Sequence, residues 1–268
     1  MNAIAILGGG KIGEALLSGM LRGSRSTTDI VISEKHPERA AYLAETFGVQ
    51  VTDVASAVKQ ADTLLIAVKP QDIDALLAEM AAAVEPPRHV VVSVAAGVTT
   101  AHIERALPSG VAVVRCMPNT PALVDQAMTA VAAGSHADDA HVAEAEALLA
   151  TVGRVVRVPE HQLDAVTALS GSGPAYFFYL VEAMIDAGIL LGLPRALAAE
   201  LIVQTAVGSA TMLRDSGEHP VQLREAVTSP GGTTIAAIRE LEVHGVRAAL
   251  LAAIEAAARR SRELGTED

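Results

Sequence analysis

The 268-residue chain has one cysteine, no tryptophan and only 2% aromatic residues, three tyrosines and three phenylalanines. A lone cysteine, Cys116, cannot close an internal disulfide, which fits a reducing compartment such as the cytoplasm. At the end of an apolar run it reads as a small buried hydrophobe rather than a nucleophile. With so few rings, Ala, Val, Leu and Ile must fill the core, and small side chains suit close helix packing and a broad buried interface. Positive charge is also scarce. The 20 basic residues face 31 acidic ones, a net −11, which argues against a nucleic-acid-binding face and against binding to an anionic membrane surface. No apolar run approaches the roughly 18 residues of a spanning helix, and no secretory leader is expected before the first strand. No metal site is expected either: His136 and His141, beside Asp138 and Asp139, have the wrong spacing for one helix face and no cysteine joins them. Neither a G-x-S-x-G turn nor a Cys–His pair points to covalent catalysis.

What the chain does have begins at once. Ala3-Ile4-Ala5-Ile6-Leu7 is a short apolar strand, and it runs into Gly8-Gly9-Gly10-Lys11-Ile12-Gly13 and then the helical Glu14-Ala15-Leu16-Leu17. Strand, G-x-G-x-x-G, helix is the context in which that pattern binds a dinucleotide. Gly8 permits the tight turn, Gly10 lets backbone approach a pyrophosphate, and Gly13 lets helix and strand pack closely. The helix start then offers free N–H groups and a positive dipole end.

Up to about residue 160, strands predicted at 3–7, 30–33, 63–68, 89–94, 111–116, 127–132 and 154–158 alternate with helices at 11–22, 37–47, 71–83 and 138–151. This alternation implies an α/β domain with a doubly wound parallel sheet. Beyond Pro159 the texture is all helical, with helices predicted at 173–191, from there to about Arg214, and at 220–227, 234–243 and 246–264. Helix 173–191 is apolar nearly all round, interrupted by Glu182 and Asp186, and is therefore expected to be buried on most sides. Two domains follow, 1–160 and 161–268, and the apolar second one predicts a homo-oligomer.

Candidate binding residues cluster where strands end. Glu34 lies about 20 residues beyond Gly13, where a carboxylate can take the ribose hydroxyls of NAD, whereas Lys35, His36 and Arg39 could neutralise the 2′-phosphate of NADP. The junctions Ala67-Val68-Lys69-Pro70 and Val94-Ala95-Ala96-Gly97 fall at the same sheet edge, as does the stiff loop Pro118-Asn119-Thr120-Pro121. In the helical half, Thr228-Ser229-Pro230-Gly231-Gly232-Thr233-Thr234 is a glycine-rich turn opening a helix. It is suited to a small carboxylate, with helix capping as the alternative reading.

Taken together, GGGKIG at 8–13, AVKP at 67–70, VAAGVT at 94–99, CMPNTP at 116–121, LDAVTALSGSGPAYFF at 163–178 and LREAVTSPGGTTIAAIREL at 223–241 resemble the pyrroline-5-carboxylate reductase family over essentially the whole chain. The resemblance implies an N-terminal Rossmann domain, a C-terminal all-α dimerisation domain, interlocked dimers that assemble further into decamers, and reduction of 1-pyrroline-5-carboxylate to L-proline by NADPH, with NADH tolerated. It assigns the cofactor to Leu7, Gly8, Gly9, Gly10, Lys11, Ile12 and Gly13, to Glu34, Lys35 and His36, and to Ala67, Val68, Lys69, Pro70, Ala96 and Asn119. It assigns the substrate to Glu160, Ser229, Gly232, Thr233 and Thr234, with Thr234 catalytic and the turn supplied by the partner subunit. Val54 departs from the family pattern, where Asn is common, and Glu34 is more acidic than in many NADPH-using relatives; both bear on cofactor preference. A different Rossmann-plus-helical dehydrogenase would carry a lysine on its first long helix, and 173–191 has none. A non-catalytic NADP-binding protein would have no use for the intact TSPGGTT turn.

Overall fold

The computed structural model describes residues 3–23 and 25–265, which fall into two compact units, one containing residues up to Ser172 and from Ala257 onward, the other Gly173–Ala256. The first unit is an eight-stranded sheet with its covering helices. Its elements are β1 (Ile4–Leu7), α1 (Lys11–Arg22), β2 (Ile30–Ser33), α2 (Pro37–Phe47), β3 (Gln50–Val51), α3 (Val54–Gln60), β4 (Thr63–Ile66), α4 (Ile73–Met80), β5 (Val90–Ser93), α5 (Thr100–Ala106), β6 (Ala112–Met117), β7 (Ala127–Ala133), α6 (Asp139–Leu149), β8 (Gly153–Arg157) and α7 (Leu163–Val166). The strand order is β3-β2-β1-β4-β5-β6-β7-β8. Its first six strands run in the doubly wound order whose direction of growth reverses between β1 and β4, the crevice where such sheets bind ligands.

Strands β1, β2, β4 and β5 are buried along their whole length, which is why they read as unbroken apolar runs rather than alternating ones. One face packs under α1 and α6, with Leu16, Leu17, Met20 and Leu149 against Ile4, Ile6 and Ile32. The other packs under α3 and α4, with Val58, Leu77 and Met80 against Ala5, Leu7, Leu64 and Ile66. His89 is wholly buried before β5, yet both its ring nitrogens are used: Nδ1 accepts from the Glu85 amide at 2.8 Å and Nε2 meets the Val58 carbonyl at 3.1 Å.

Three features differ from the sequence expectation. β7 pairs antiparallel with β6, because the connection through Pro118–Gln126 is a loop and not a crossover helix. The short β3, α3 and α5 were not expected; α3 and α5 have seven residues each, too few for a clear apolar period. The first unit also extends past 160 to Ser172, because Leu163 is buried against Ala130 and Ala132 and the Ser261 hydroxyl, near the chain's end, donates to Asp164 at 2.7 Å.

The second unit comprises α8 (Gly173–Leu190), α9 (Arg195–Asp215), α10 (Pro220–Ala226), α11 (Thr233–Val243) and the first part of α12 (Val246–Leu264). It corrects two expectations. Helix α8 is not buried within the chain: among the described residues of this unit only Gly173 and Ala198 are, and Phe178, Tyr179 and Leu190 stand 69%, 72% and 88% exposed. The helices of this unit cover one another's apolar residues only in part, as where Gly188 of α8 lies against the buried Ala198 of α9, so much of a composition that suits a buried helix is left facing outward. The stretches Glu160–Leu190 and Arg195–Asp215 are, moreover, each long and apolar enough by length and composition to cross a membrane. Glu182 and Asp186 interrupt the run without lowering its average enough to exclude this.

Candidate active site

At the carboxyl ends of β1, β2 and β4 lies a cavity of about 390 Å³. Leu7, Gly8 and Gly10 line it from β1, Glu34, Lys35 and His36 from β2, and Ala67, Val68 and Lys69 from β4, all expected from the sequence. Gly8 has φ +109°, and a Cβ there would stand 2.8 Å from the Ala67 carbonyl oxygen. Gly13 packs so tightly that a Cβ would sit 2.2 Å from the Gly8 oxygen, which sets the helix directly over the turn. At Gly10, by contrast, nothing lies within 4 Å of the place a Cβ would take. Gly10 is the residue before α1 and caps it with no side chain. The space beside the helix start is therefore open and no side chain occupies its first N–H groups, as a pyrophosphate requires. This cradle fits a dinucleotide.

The remaining expected cofactor residues sit elsewhere in the first unit. Gly9 donates its N–H to Glu34 Oε2 at 2.9 Å, and the other oxygen of Glu34 accepts from the His36 amide at 2.8 Å. Glu34 thereby ties the glycine turn to the end of β2. Lys11 is exposed on the first turn of α1, Ile12 packs toward the core and Pro70 opens a 3₁₀ turn. Ala96 is half-buried in the β5–α5 loop and does not line the cavity. Nor does Asn119: its amide nitrogen donates to the Ser170 carbonyl at 3.1 Å and its oxygen accepts from the Met128 amide at 3.0 Å. It therefore braces Thr167–Gly171, a turn of π-helix. Both were expected from motif resemblance, which does not reveal where a side chain's hydrogen bonds go.

Four cavity residues were missed: Asp72, Ala75, Leu76 and Glu79. Their spacing i, i+3, i+4, i+7 is one face of a helix, so the periodicity of α4 held the signal. Ser33 and Val54 complete the lining.

Glu160 occupies a specific place within the first unit. One oxygen accepts from the Thr100 amide at 2.7 Å and the other from the Thr100 hydroxyl at 2.5 Å, and the buried Arg115 guanidinium lies 3.4 Å away. The carboxylate thus fixes the start of α5, directly after the loop carrying Ala96. Glu160→Ala would leave the Arg115 charge without its partner in a site where that residue is only 5% exposed. Urea unfolding is expected to show a loss of about 3 kcal/mol; a loss under about 1 kcal/mol would mean that Glu160 is not a structural partner.

In the second unit, Ser229-Pro230-Gly231-Gly232 is a closed turn in which the Gly232 amide donates to the Ser229 carbonyl at 3.1 Å and Gly231 has φ +66°. Proline then glycine at the centre is the type II pattern. Gly232 is the residue before α11 and has no side chain to cap it. Thr233 and Thr234 are the first two residues inside the helix. Among the described residues, the hydroxyls of Ser229, Thr233 and Thr234 make no hydrogen bond, which leaves the capping alternative without a structural basis. Three hydroxyls and the free N–H groups of a helix start thus lie on one short turn, at positions 229–234, a donor set suited to an anionic, hydrogen-bonding ligand. Cys116 is buried, and burial pushes its thiol far above the ordinary range, so it is inert packing.

A doubly wound dinucleotide fold joined to an apolar helical unit with an anion-suited turn defines a nicotinamide-dependent oxidoreductase. Comparison with known proteins narrows the class. Residues 160–264 match the family described as pyrroline-5-carboxylate reductase dimerisation, and residues 3–97 match NADP oxidoreductase coenzyme F420-dependent. The chain is 49% identical to a pyrroline-5-carboxylate reductase of Mycobacterium tuberculosis, over 98% of this chain and 97% of that one. It is similar to the structure of the Coxiella burnetii pyrroline-5-carboxylate reductase, with TM-score 0.92, 35% identity and 99% of each chain covered. It is also similar to the Plasmodium falciparum pyrroline carboxylate reductase with NADP bound, with TM-score 0.89, 25% identity, and 99% and 98% covered. The chain belongs to the pyrroline-5-carboxylate reductase family, and its helical half is that family's dimerisation domain.

Proposed function

We propose that this protein reduces 1-pyrroline-5-carboxylate to L-proline with NADPH, accepting NADH in its place, as the closing step of proline synthesis in the cytoplasm. The observation that carries this reading is the start of α11, where hydroxyls and N–H groups unused by the fold sit on a rigid turn. The nicotinamide cofactor supplies a hydride when bound. Gly8 and Gly10 and the first N–H groups of α1 would hold its pyrophosphate, and Glu34, Lys35 and His36 its adenosine ribose. The protonated imine of the substrate is electrophilic without further activation, so the protein's work is alignment. The Ser229 hydroxyl and the N–H groups at Thr233 and Thr234, the first of α11, would hold the substrate carboxylate. The Thr234 hydroxyl would hydrogen-bond the ring nitrogen, which becomes an amine as the C=N bond is reduced.

The exposed apolar helices support a homodimer built through the second unit, with dimers associating further into a decamer. A second copy covers those faces without a membrane, and the dimerisation family matches the same residues, 160–264. No nucleic acid is expected as a partner, since the chain carries net −11. The reading is tested by mixing protein with NADPH and 1-pyrroline-5-carboxylate and following the nicotinamide absorbance. Loss of absorbance only when that substrate is present supports it; equal loss with a keto acid in its place, which would take the hydride at its carbonyl carbon, would favour a different dehydrogenase.

A further inference from the structure

We propose that Asp72 is a specificity-determining residue that weakens the binding of NADPH relative to NADH, by holding Lys35 away from the 2′-phosphate. This rests on the reading of the 390 Å³ cavity as the adenosine end of a dinucleotide site.

The two cofactors differ there by one phosphate, which carries close to two negative charges. Of the cavity's titratable side chains, Glu34, Asp72 and Glu79 are acidic, Lys35 and Lys69 basic, and His36 is neutral when unprotonated. The wall is therefore slightly negative before any cofactor enters. Arg39, a cation near enough to be considered, is committed elsewhere. Its Nε donates to the Gly9 carbonyl at 2.7 Å, its guanidinium pairs with Glu14, and it lies 4.9 Å over the Tyr42 ring.

Lys35 is the cation at the end of β2, where the ribose is expected, and Asp72 takes it. The ammonium donates to Asp72 Oδ1 at 2.6 Å, between the β2 wall and the α4 wall of the cavity. The pair pulls the Asp72 carboxyl below its usual value and raises the Lys35 ammonium above its own. A 2′-phosphate must compete with Asp72 for that ammonium and is repelled by Asp72 itself. NADH avoids both costs: its 2′-hydroxyl can donate to the Glu34 carboxylate and makes no demand on Lys35. The pair is exposed to water, with side chains 66% and 36% accessible, so it is weak and exchangeable. Asp72 thus tunes the preference rather than blocking NADPH.

The test is fluorescence titration of the full-length protein with NADPH and with NADH. In Asp72→Asn, NADPH is expected to bind about 3- to 10-fold tighter, with NADH within about twofold of wild type. Raising the salt should shrink the gain, because the interaction is between exposed charges. Adding Lys35→Gln to Asp72→Asn should remove most of the gain. A change that is equal for the two cofactors, or absent for both, would overturn the assignment of Asp72 while leaving the cofactor site in place. Wild-type protein that bound neither cofactor would overturn the reading of the cavity, and the proposal with it.

Discussion

Thr234→Val is expected to lower kcat by roughly 10- to 1000-fold, the range for losing one well-placed donor or proton-transfer group. The substitution keeps the shape of the side chain and removes only its hydroxyl. That hydroxyl serves no structural purpose in the chain: Gly232, not a threonine, precedes α11, and no side chain caps the helix. Stability should therefore barely change. Cofactor affinity should also hold, because the dinucleotide cradle is built wholly from residues of the first unit. A fall in kcat larger than any rise in KM would place the hydroxyl's effect in the transition state. Thr234→Ser keeps the donor and should retain most activity, with some lost to the freer rotamer. If Thr234→Val turned over normally with unchanged KM, the α11 turn would not be the place where the ring nitrogen is held.

Light scattering is expected to find no folded, active form at the mass of a single chain. Between Gly173 and Ala256 only two described residues are buried, whereas a helical unit needs an apolar core to be stable at all. Phe177, Phe178, Tyr179, Leu201 and Val207 are each at least half exposed. Covering an apolar side chain fully contributes about 1.5–3 kcal/mol, so several such residues per chain are of the same order as a typical domain's net stability. Dilution far enough to separate the chains should therefore cost helical circular dichroism and activity together. A monomer that stayed folded and catalysed the reaction would contradict this, and would require the exposed faces to serve another partner.

The centre of the sheet was legible because β1, β2, β4 and β5 are buried along their whole length and read as continuous apolar runs. The glycine turn was legible because each glycine answers a steric demand that no other residue meets. Elements shorter than two helical turns, α3 and α5, carried too little periodicity, and the antiparallel β7 follows a loop whose course depends on distant partners. The cavity was half legible. Motifs located the walls at β1, β2 and β4, but the α4 wall is a helical face that no motif marks. The pairings Lys35–Asp72, Glu160–Arg115 and Asn119–Ser170 join residues far apart in sequence, and no local pattern reports them. Helix α8 shows the opposite case. Its apolar composition pointed to burial, yet this chain leaves the helix exposed, and composition does not say whether a cover comes from the same chain.

The central claim is that a hydride passes from the nicotinamide to the imine carbon of a carboxylated pyrroline. It is tested most directly by supplying NADPH deuterated at the transferring C4 position together with 1-pyrroline-5-carboxylate, and analysing the product by mass spectrometry and NMR. The account predicts L-proline with one deuterium, on the ring carbon next to nitrogen that formed the C=N bond. Recovery of unreduced pyrroline with the cofactor intact, or of proline without the label, would contradict it.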